Sequence, residues 1–310
     1  MDKEKSKLSK LTLGTVQLGM PYGIANRSGM PDEAIAQDIL EEAWRNGITS
    51  FDTAAAYGES EKRIGAFVEK HPERIPFLFI ATKGTLKPPS ALTEEALKRA
   101  LFEQLETSKA ALRLPTVPLY MAHRYEDLRH YAKAYTAFFR QAKEQGRIRW
   151  SGVSLYSPEE AEEILNPQRD TPPLDVLQIP LNLFDRRFLE NRLIERLRES
   201  GFMIFTRSVF LQGLFFLPVD SLPDKTREAT PFLKQLNALS TKYGIGIREM
   251  AIGYVRRRAD PDSILVGVES VAQLRENLEA FEHAFPEELN RKIDRTFIDV
   301  PPSIYDPRRW

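Results

Sequence analysis

Cysteine is absent from the 310-residue chain. That removes disulfides, thiolate-held metals and cysteine nucleophiles, and it fits a reducing cytoplasm. Histidine is scarce, and the four that occur, His71, His123, His130 and His283, show no metal-site spacing. Net charge is missing as well: 44 basic residues cancel 44 acidic ones, so no global field draws in nucleic acid or an anionic membrane. No apolar run approaches the ~20 residues of a membrane-spanning helix. The opening Met1–Lys7 is charged and lacks the apolar stretch of a signal peptide. A soluble cytoplasmic protein is expected.

What is present is the composition of a globular protein, 42% hydrophobic and 28% charged. The length allows one large α/β domain or two ordinary ones. Short apolar runs bounded by turn residues recur at 11–19, 48–52, 77–82, 117–122, 147–153, 174–179, 202–206 and 263–266, and each precedes a helical pattern. The first helix carries Ile35, Ile39 and Ala43 on one face. A long helix starts at Thr93, another lies within 128–145, a proline-started one follows Ser157, and Leu189, Leu193 and Leu197 face inward on the next. Runs apolar on both faces read as buried parallel strands. Eight β-α units in one uninterrupted stretch predict an α/β fold, a closed (β/α)8 TIM barrel, as a single domain over residues 1–310. A doubly wound open sheet is the second choice.

In such a barrel chemistry sits at the carboxyl ends of the strands. Asp52, Lys83 and His123 end the second, third and fourth strand candidates, and Tyr57 lies in the loop after the second. Taken singly, each has a bland reading: a structural ion pair, a hydrogen-bonded core histidine, a packed loop aromatic. Together they form a proton-handling set. A phenol is a poor acid near neutrality, with a pKa of about 10. A lysine ammonium beside it is expected to lower that value, with Asp52 holding Lys83 charged. His123 would polarise a substrate carbonyl and Tyr57 would deliver the proton as general acid. No side chain donates hydride, so the set implies a bound nicotinamide cofactor.

These residues resemble the aldo-keto reductases over most of the chain. Leu13-Gly14-Thr15 with Leu18-Gly19 is similar to the family's opening strand, and Phe51-Asp52-Thr53-Ala54 through Tyr57-Gly58 to its strongest signature. Ala81-Thr82-Lys83 and Ala122-His123-Arg124 resemble its lysine and histidine motifs. The resemblance implies a (β/α)8 barrel, NADP(H) or NAD(H) as cofactor, and Tyr57 as acid. It further implies cofactor contacts from Ser154 and Gln178, which with Asn182 resemble the carboxamide-holding segments. The loop holding Arg207, Ser208, Leu211 and Gly213 is similar to the pyrophosphate loop. Gly267, Ser270, Gln273 and Asn277 match positions after the last strand, although Ser270 also reads as a plain helix cap. Tyr22 and Asn182 are expected at the substrate, with Met20, Phe184, the loop Phe210 to Phe216, Tyr305 and Trp310 as possible walls.

Three departures stand out. Glu269 and Ser270 replace a common cation for the 2′-phosphate of NADPH, leaving NADH open. Arg207 stands where an aromatic commonly stacks on nicotinamide, and Leu155 where asparagine is expected. The expected function is reduction of an aldehyde or ketone, sugar-like ones included. A cofactor-binding but non-catalytic regulatory subunit of a protein complex is the alternative, and a lyase with Lys83 as Schiff base a third reading. Neither substrate identity nor oligomeric state is legible.

Overall fold

In the computed structural model, which describes residues 8–86, 93–166 and 171–310, eight parallel strands close into a barrel in chain order. Met1–Lys7 lies outside the described residues. The strands are β1 (Leu11–Gly14), β2 (Ser50–Asp52), β3 (Phe79–Gly84), β4 (Val117–Ala122), β5 (Ile148–Ser154), β6 (Val176–Pro180), β7 (Met203–Arg207) and β8 (Ser263–Gly267). The register closes with Gly14 opposite both Asp52 and Gly267. The first helices are α1 (Val16–Gly19), α2 (Glu33–Arg45), α3 (Ser60–Lys70), α4 (Glu94–Leu112), α5 (Tyr125–His130), α6 (Ala132–Glu144) and α7 (Pro158–Leu165). The remainder are α8 (Leu193–Glu199), α9 (Thr230–Tyr243), α10 (Ile247–Ala259), α11 (Val271–Glu282), α12 (Glu287–Thr296) and α13 (Pro302–Tyr305).

Period-two alternation sorts each strand. Phe51 points outward and meets Phe67 of α3 edge-on at 5.7 Å. The inward set Phe79, Ala81, Leu119, Met121, Val176, Met203, Phe205 and Leu265 fills the barrel as its own apolar cluster. Two residues further along several strands, the same alternation turns Lys83, His123, Gln178, Arg207 and Gly267 toward the mouth. Lower down, hydroxyls replace aliphatics between β1, β2 and β8. Thr12 and Ser263 bond at 2.7 Å, and Ser9 pairs with Ser50, so no buried hydroxyl of this group lacks a partner.

The helix signals act as expected in most places. Thr93 caps α4 by accepting from Ala96 N–H at 3.2 Å, and Ser157 with Glu160 forms a capping box before Pro158. The helix expected within 128–145 is α6, and a separate short helix, α5, precedes it. Three expectations need correction. The first strand ends at Gly14, and residues 16–19 coil into α1. The inward stripe of α2 is Ala36, Ile39, Leu40 and Ala43, which leaves Ile35 42% exposed one residue off that stripe. Leu189 lies in a 3₁₀ turn at 187–192 and is half-buried, while Leu193 and Leu197 are buried on α8.

Candidate active site

The mouth is built around a buried ion pair. Lys83 Nζ donates to Asp52 Oδ1 at 2.6 Å and to the Thr53 carbonyl at 3.0 Å. The other carboxylate oxygen, Asp52 Oδ2, accepts from Gln178 Nε2 at 2.8 Å. Both charged side chains are nearly closed to solvent, 1% for lysine and 5% for aspartate. Charges so deeply placed survive only when each is matched and hydrogen-bonded. A hydroxyl chain steadies the backbone beneath: Thr53 donates to Ser60 at 2.8 Å, Ser60 to Thr15 at 2.7 Å, and Thr15 to the Asp52 carbonyl at 2.8 Å.

Tyr57 stands over this pair on a short turn, its N–H bonded to the Ala54 carbonyl at 2.9 Å. Two glycines make that turn possible. A Cβ on Gly19 would collide with the Tyr57 carbonyl, and one on Gly58, which has φ of +55°, would collide with the Gly19 carbonyl. The Tyr57 ring lies edge-on to His123 with centroids 5.7 Å apart, and Lys83 Nζ is 5.3 Å from the centre of the same ring. Asp52, Lys83, His123 and Tyr57 thus converge on one cavity of about 580 Å³.

One electrostatic expectation is overturned. The phenol of Tyr57 is not lowered by Lys83. Burial pushes it up, the Asp52 carboxylate pushes it further, and the cation that partly offsets them is Arg207. Lys83 is spent on Asp52 and Thr53, its Nζ 5.3 Å from the centre of the Tyr57 ring. Tyr22, at the rim of the cavity, is pushed up to about 12 by burial and by Tyr57, with Arg207 again pulling the other way.

Ser154, Gln178, Arg207, Ser208, Gly213, Gly267, Gln273 and Tyr22 line the cavity. Four sequence-predicted residues do not reach it with their side chains. Asn182 is fully buried in a turn, its Oδ1 accepting from Phe184 and Asp185 N–H at 2.9 Å each and its Nδ2 donating to the Ser208 carbonyl at 3.1 Å. That corrects its placement against substrate. Leu211 packs into the core, with φ of +48°. Ser270 caps α11 by accepting from Gln273 N–H at 3.2 Å, while Gln273 Oε1 accepts from Glu269 N–H at 2.8 Å. Asn277 is buried behind the wall, its Oδ1 accepting from Arg248 at 2.5 Å.

Among the proposed walls, Phe210 and Phe216 line the cavity. Phe184 packs instead on Phe215 and Phe297, at 4.9 Å each, Tyr305 sits under Arg187 at 4.5 Å, and Trp310 Nε1 donates to the Ser303 carbonyl at 3.0 Å.

Sequence reasoning missed Gln17, Tyr156 and Arg248, all on the lining. Gln17 was hidden by reading 11–19 as one strand. Tyr156 directly follows β5 and could have been found by extending the strand-end rule by two residues. Arg248 comes from α10, stacked on Phe216 at 4.9 Å and Phe210 at 5.5 Å, and no local pattern announces it.

Two buried polar atoms near the cavity lack partners. Gln17 Oε1 and Asn277 Nδ2 are buried without a hydrogen-bond partner, and Gly267 sits so close to Gln17 that a Cβ would strike its amide. Buried orphan donors and acceptors beside a cavity are what a bound polar ligand relieves.

A charged pair, a phenol and an imidazole, groups that can move protons, thus share one mouth of a closed barrel. The sequence pattern described as the Aldo/keto reductase family matches residues 10–297, and the chain belongs to that family of NAD(P)H-dependent oxidoreductases. It is 25% identical to an L-glyceraldehyde 3-phosphate reductase of Escherichia coli O157:H7, across 94% of this chain and 91% of that one. It is also 25% identical to an NADH-specific methylglyoxal reductase of Escherichia coli K12, across 88% and 90%. The aldo-keto reductase AKR11C1 of Bacillus halodurans, solved in its holo form, shares the fold with a TM-score of 0.71 at 20% identity, over 98% of this chain and 96% of that one.

Proposed function

We propose that the chain forms one catalytic barrel domain, working in the cytoplasm, in which Tyr57 is the general acid for reduction of a small aldehyde or ketone. The observation that carries this is the convergence of Tyr57 and His123 above the buried Lys83–Asp52–Gln178 network in one cavity. A substrate carbonyl seated there has its oxygen between the phenol and the imidazole. His123 orients and polarises it, and the Tyr57 proton passes to the oxygen as negative charge grows on it. Bound NAD(P)H supplies the hydride. The resulting phenolate is left facing Lys83 beneath its ring and the Arg207 guanidinium beside it, and it regains its proton from solvent.

Ser154 and Gln178 would hold the nicotinamide end. Gln178 has committed an N–H to Asp52, which sets its orientation. Ser208, Gly213 and Gly267, with Gln273 and Gln17, would hold the remainder, and Asn277 acts through Arg248, which it anchors from behind the wall. Ser270 acts through its cap on α11 and Leu211 through the loop it anchors. The Schiff-base alternative is disfavoured because Lys83 is 1% exposed and bound on two sides. A purely regulatory barrel has no use for a phenol kept protonated over a matched ion pair.

The substrates named for the relatives suggest the first panel: glyceraldehyde 3-phosphate and methylglyoxal, with NADH and NADPH. Tyr57→Phe is expected to lower kcat by about 10²- to 10⁴-fold with nearly unchanged cofactor affinity, read by fluorescence titration. Retained turnover in that variant removes the acid assignment.

A further inference from the structure

We infer that Arg207 is a specificity residue that binds an anionic group on the substrate, so the carbonyl compound reduced here carries a carboxylate or a phosphate. The inference rests on reading the mouth as that of a carbonyl reductase.

Arg207 ends β7 and lines the same cavity as Tyr57 and His123. Its bonds all go to neutral oxygens: Nε to Ser154 Oγ at 3.3 Å, one terminal nitrogen to Ser208 Oγ at 3.0 Å, the other to the Leu155 carbonyl at 2.8 Å. Among the described residues no carboxylate pairs with it. The cations around it differ. Lys83 has Asp52, Arg187 has Asp185, Arg248 has Glu276 and Arg308 has Asp306. A half-buried guanidinium without a counter-ion is costly, and a ligand anion is the partner that offsets the cost.

The group is held in place. Its central carbon lies 4.3 Å from the Tyr156 ring, and Arg308, braced by Asp306 at 2.7 and 2.8 Å, lies 4.3 Å from that ring too. Three bonds leave part of the five-donor fork unused, and a planar fork suits the paired oxygens of a carboxylate or phosphate. The direction of the side chain places the anion. The side chain leaves β7 toward Ser154, Leu155 and Tyr156, at the end of β5. In the closed order β5 is the strand opposite β1, where Gln17, Gly267, Glu269 and Gln273 gather. The anion is therefore expected at the end of β5, beside Ser154 and Tyr156, and the test below separates a substrate anion there from the cofactor's pyrophosphate.

Arg207→Gln should be compared with wild type on 4-carboxybenzaldehyde against benzaldehyde, and on glyceraldehyde 3-phosphate against glyceraldehyde. Wild type is expected to favour the charged member of at least one pair. The variant is expected to lose about 10- to 100-fold more in kcat/KM for that member than for its neutral twin, mainly through KM, on top of any loss common to both from removing a cation beside Tyr57. Arg207→Lys should recover part of the loss. An equal loss on both twins overturns the inference. So does a weaker NADH affinity with the charged-to-neutral ratio unchanged, because the anion met would then be the cofactor's pyrophosphate. If wild type reduces none of these aldehydes, the reductase reading fails by itself. Calorimetry with benzoate and benzamide then still decides the anion site. Benzoate binding lost in Arg207→Gln supports it, and equal or absent binding to both proteins overturns it.

Discussion

Two sides of one barrel mouth handle positive charge in opposite ways. On the side of β2 and β3, Lys83 is sealed from solvent and matched by Asp52, whose second oxygen is taken by Gln178. On the side of β5 and β7, Arg207 is half-buried, faces the cavity and has only neutral oxygens for company. The first arrangement is finished by the protein itself and is expected to hold shape. The second is unfinished until something negative arrives. A cation's neighbours, more than its presence at the mouth, separate scaffold from recognition.

The largest expected effect breaks the matched side. Asp52→Ala strips Lys83 of its counter-ion while leaving it buried, and should cost about 3–5 kcal/mol of stability. Replacing both partners with apolar residues of similar size, Asp52→Leu with Lys83→Met, should cost less than Asp52→Ala alone. Chemical denaturation of the three proteins checks this. Arg207→Gln, by contrast, should move the denaturation midpoint less, since it frees only neutral acceptors, Ser154 Oγ and the Leu155 carbonyl, and strands no buried charge. A comparable loss of stability in both single variants would erase the distinction between the two sides.

Much of the matched side was legible in the sequence because it obeys a local rule. Asp52, Lys83 and His123 close apolar runs, and strand periodicity turns the residues two short of them, Ser50, Ala81 and Met121, into the barrel. The same rule failed wherever the chain folds back after a strand. Asn182 lies two residues past β6, yet its turn spends both ends of its amide on backbone groups. Gln17 was lost because Gly14 ends β1 early and α1 begins, a switch that no change in hydropathy marks. Arg248 was illegible for a different reason. It arrives from α10, and only the packing of the β7 loop aromatics under it brings it to the mouth. The tuning of Tyr57 was misread because proximity of charge was inferred without the hydrogen bonds that already claim Lys83.

That correction has a kinetic signature of intermediate size. With its phenol pushed up, Tyr57 stays protonated through the neutral range, so its contribution to carbonyl reduction should be flat between about pH 6 and 9. Alcohol oxidation, which needs the phenolate, should climb about tenfold per pH unit over the same span, because below its pKa the ionised fraction grows in that proportion. Initial rates in both directions with one alcohol–aldehyde pair test it. An oxidation profile that levels off near neutrality would mean that a cation does lower the phenol when substrate and cofactor are bound, and Arg207→Gln would then show whether that cation is Arg207 or Lys83.

The smallest effect is expected at the opposite pole. Glu269 lines the cavity beside Gln273, its Oε2 accepts from Ser28 at 3.3 Å, and burial raises its carboxyl above the ordinary value. In its ionised form it should repel the additional phosphate of NADPH while NADH goes unopposed. The group is half-exposed and screened, which limits the gain from neutralising it. Glu269→Gln should tighten NADPH binding by about 2- to 5-fold and leave NADH within error. Titrating both cofactors at low and moderate salt reads the effect directly, and the gain should shrink as salt rises. A variant that tightens both cofactors equally would show that Glu269 shapes the pocket rather than selecting against charge, and the mouth would then discriminate between anions only at Arg207.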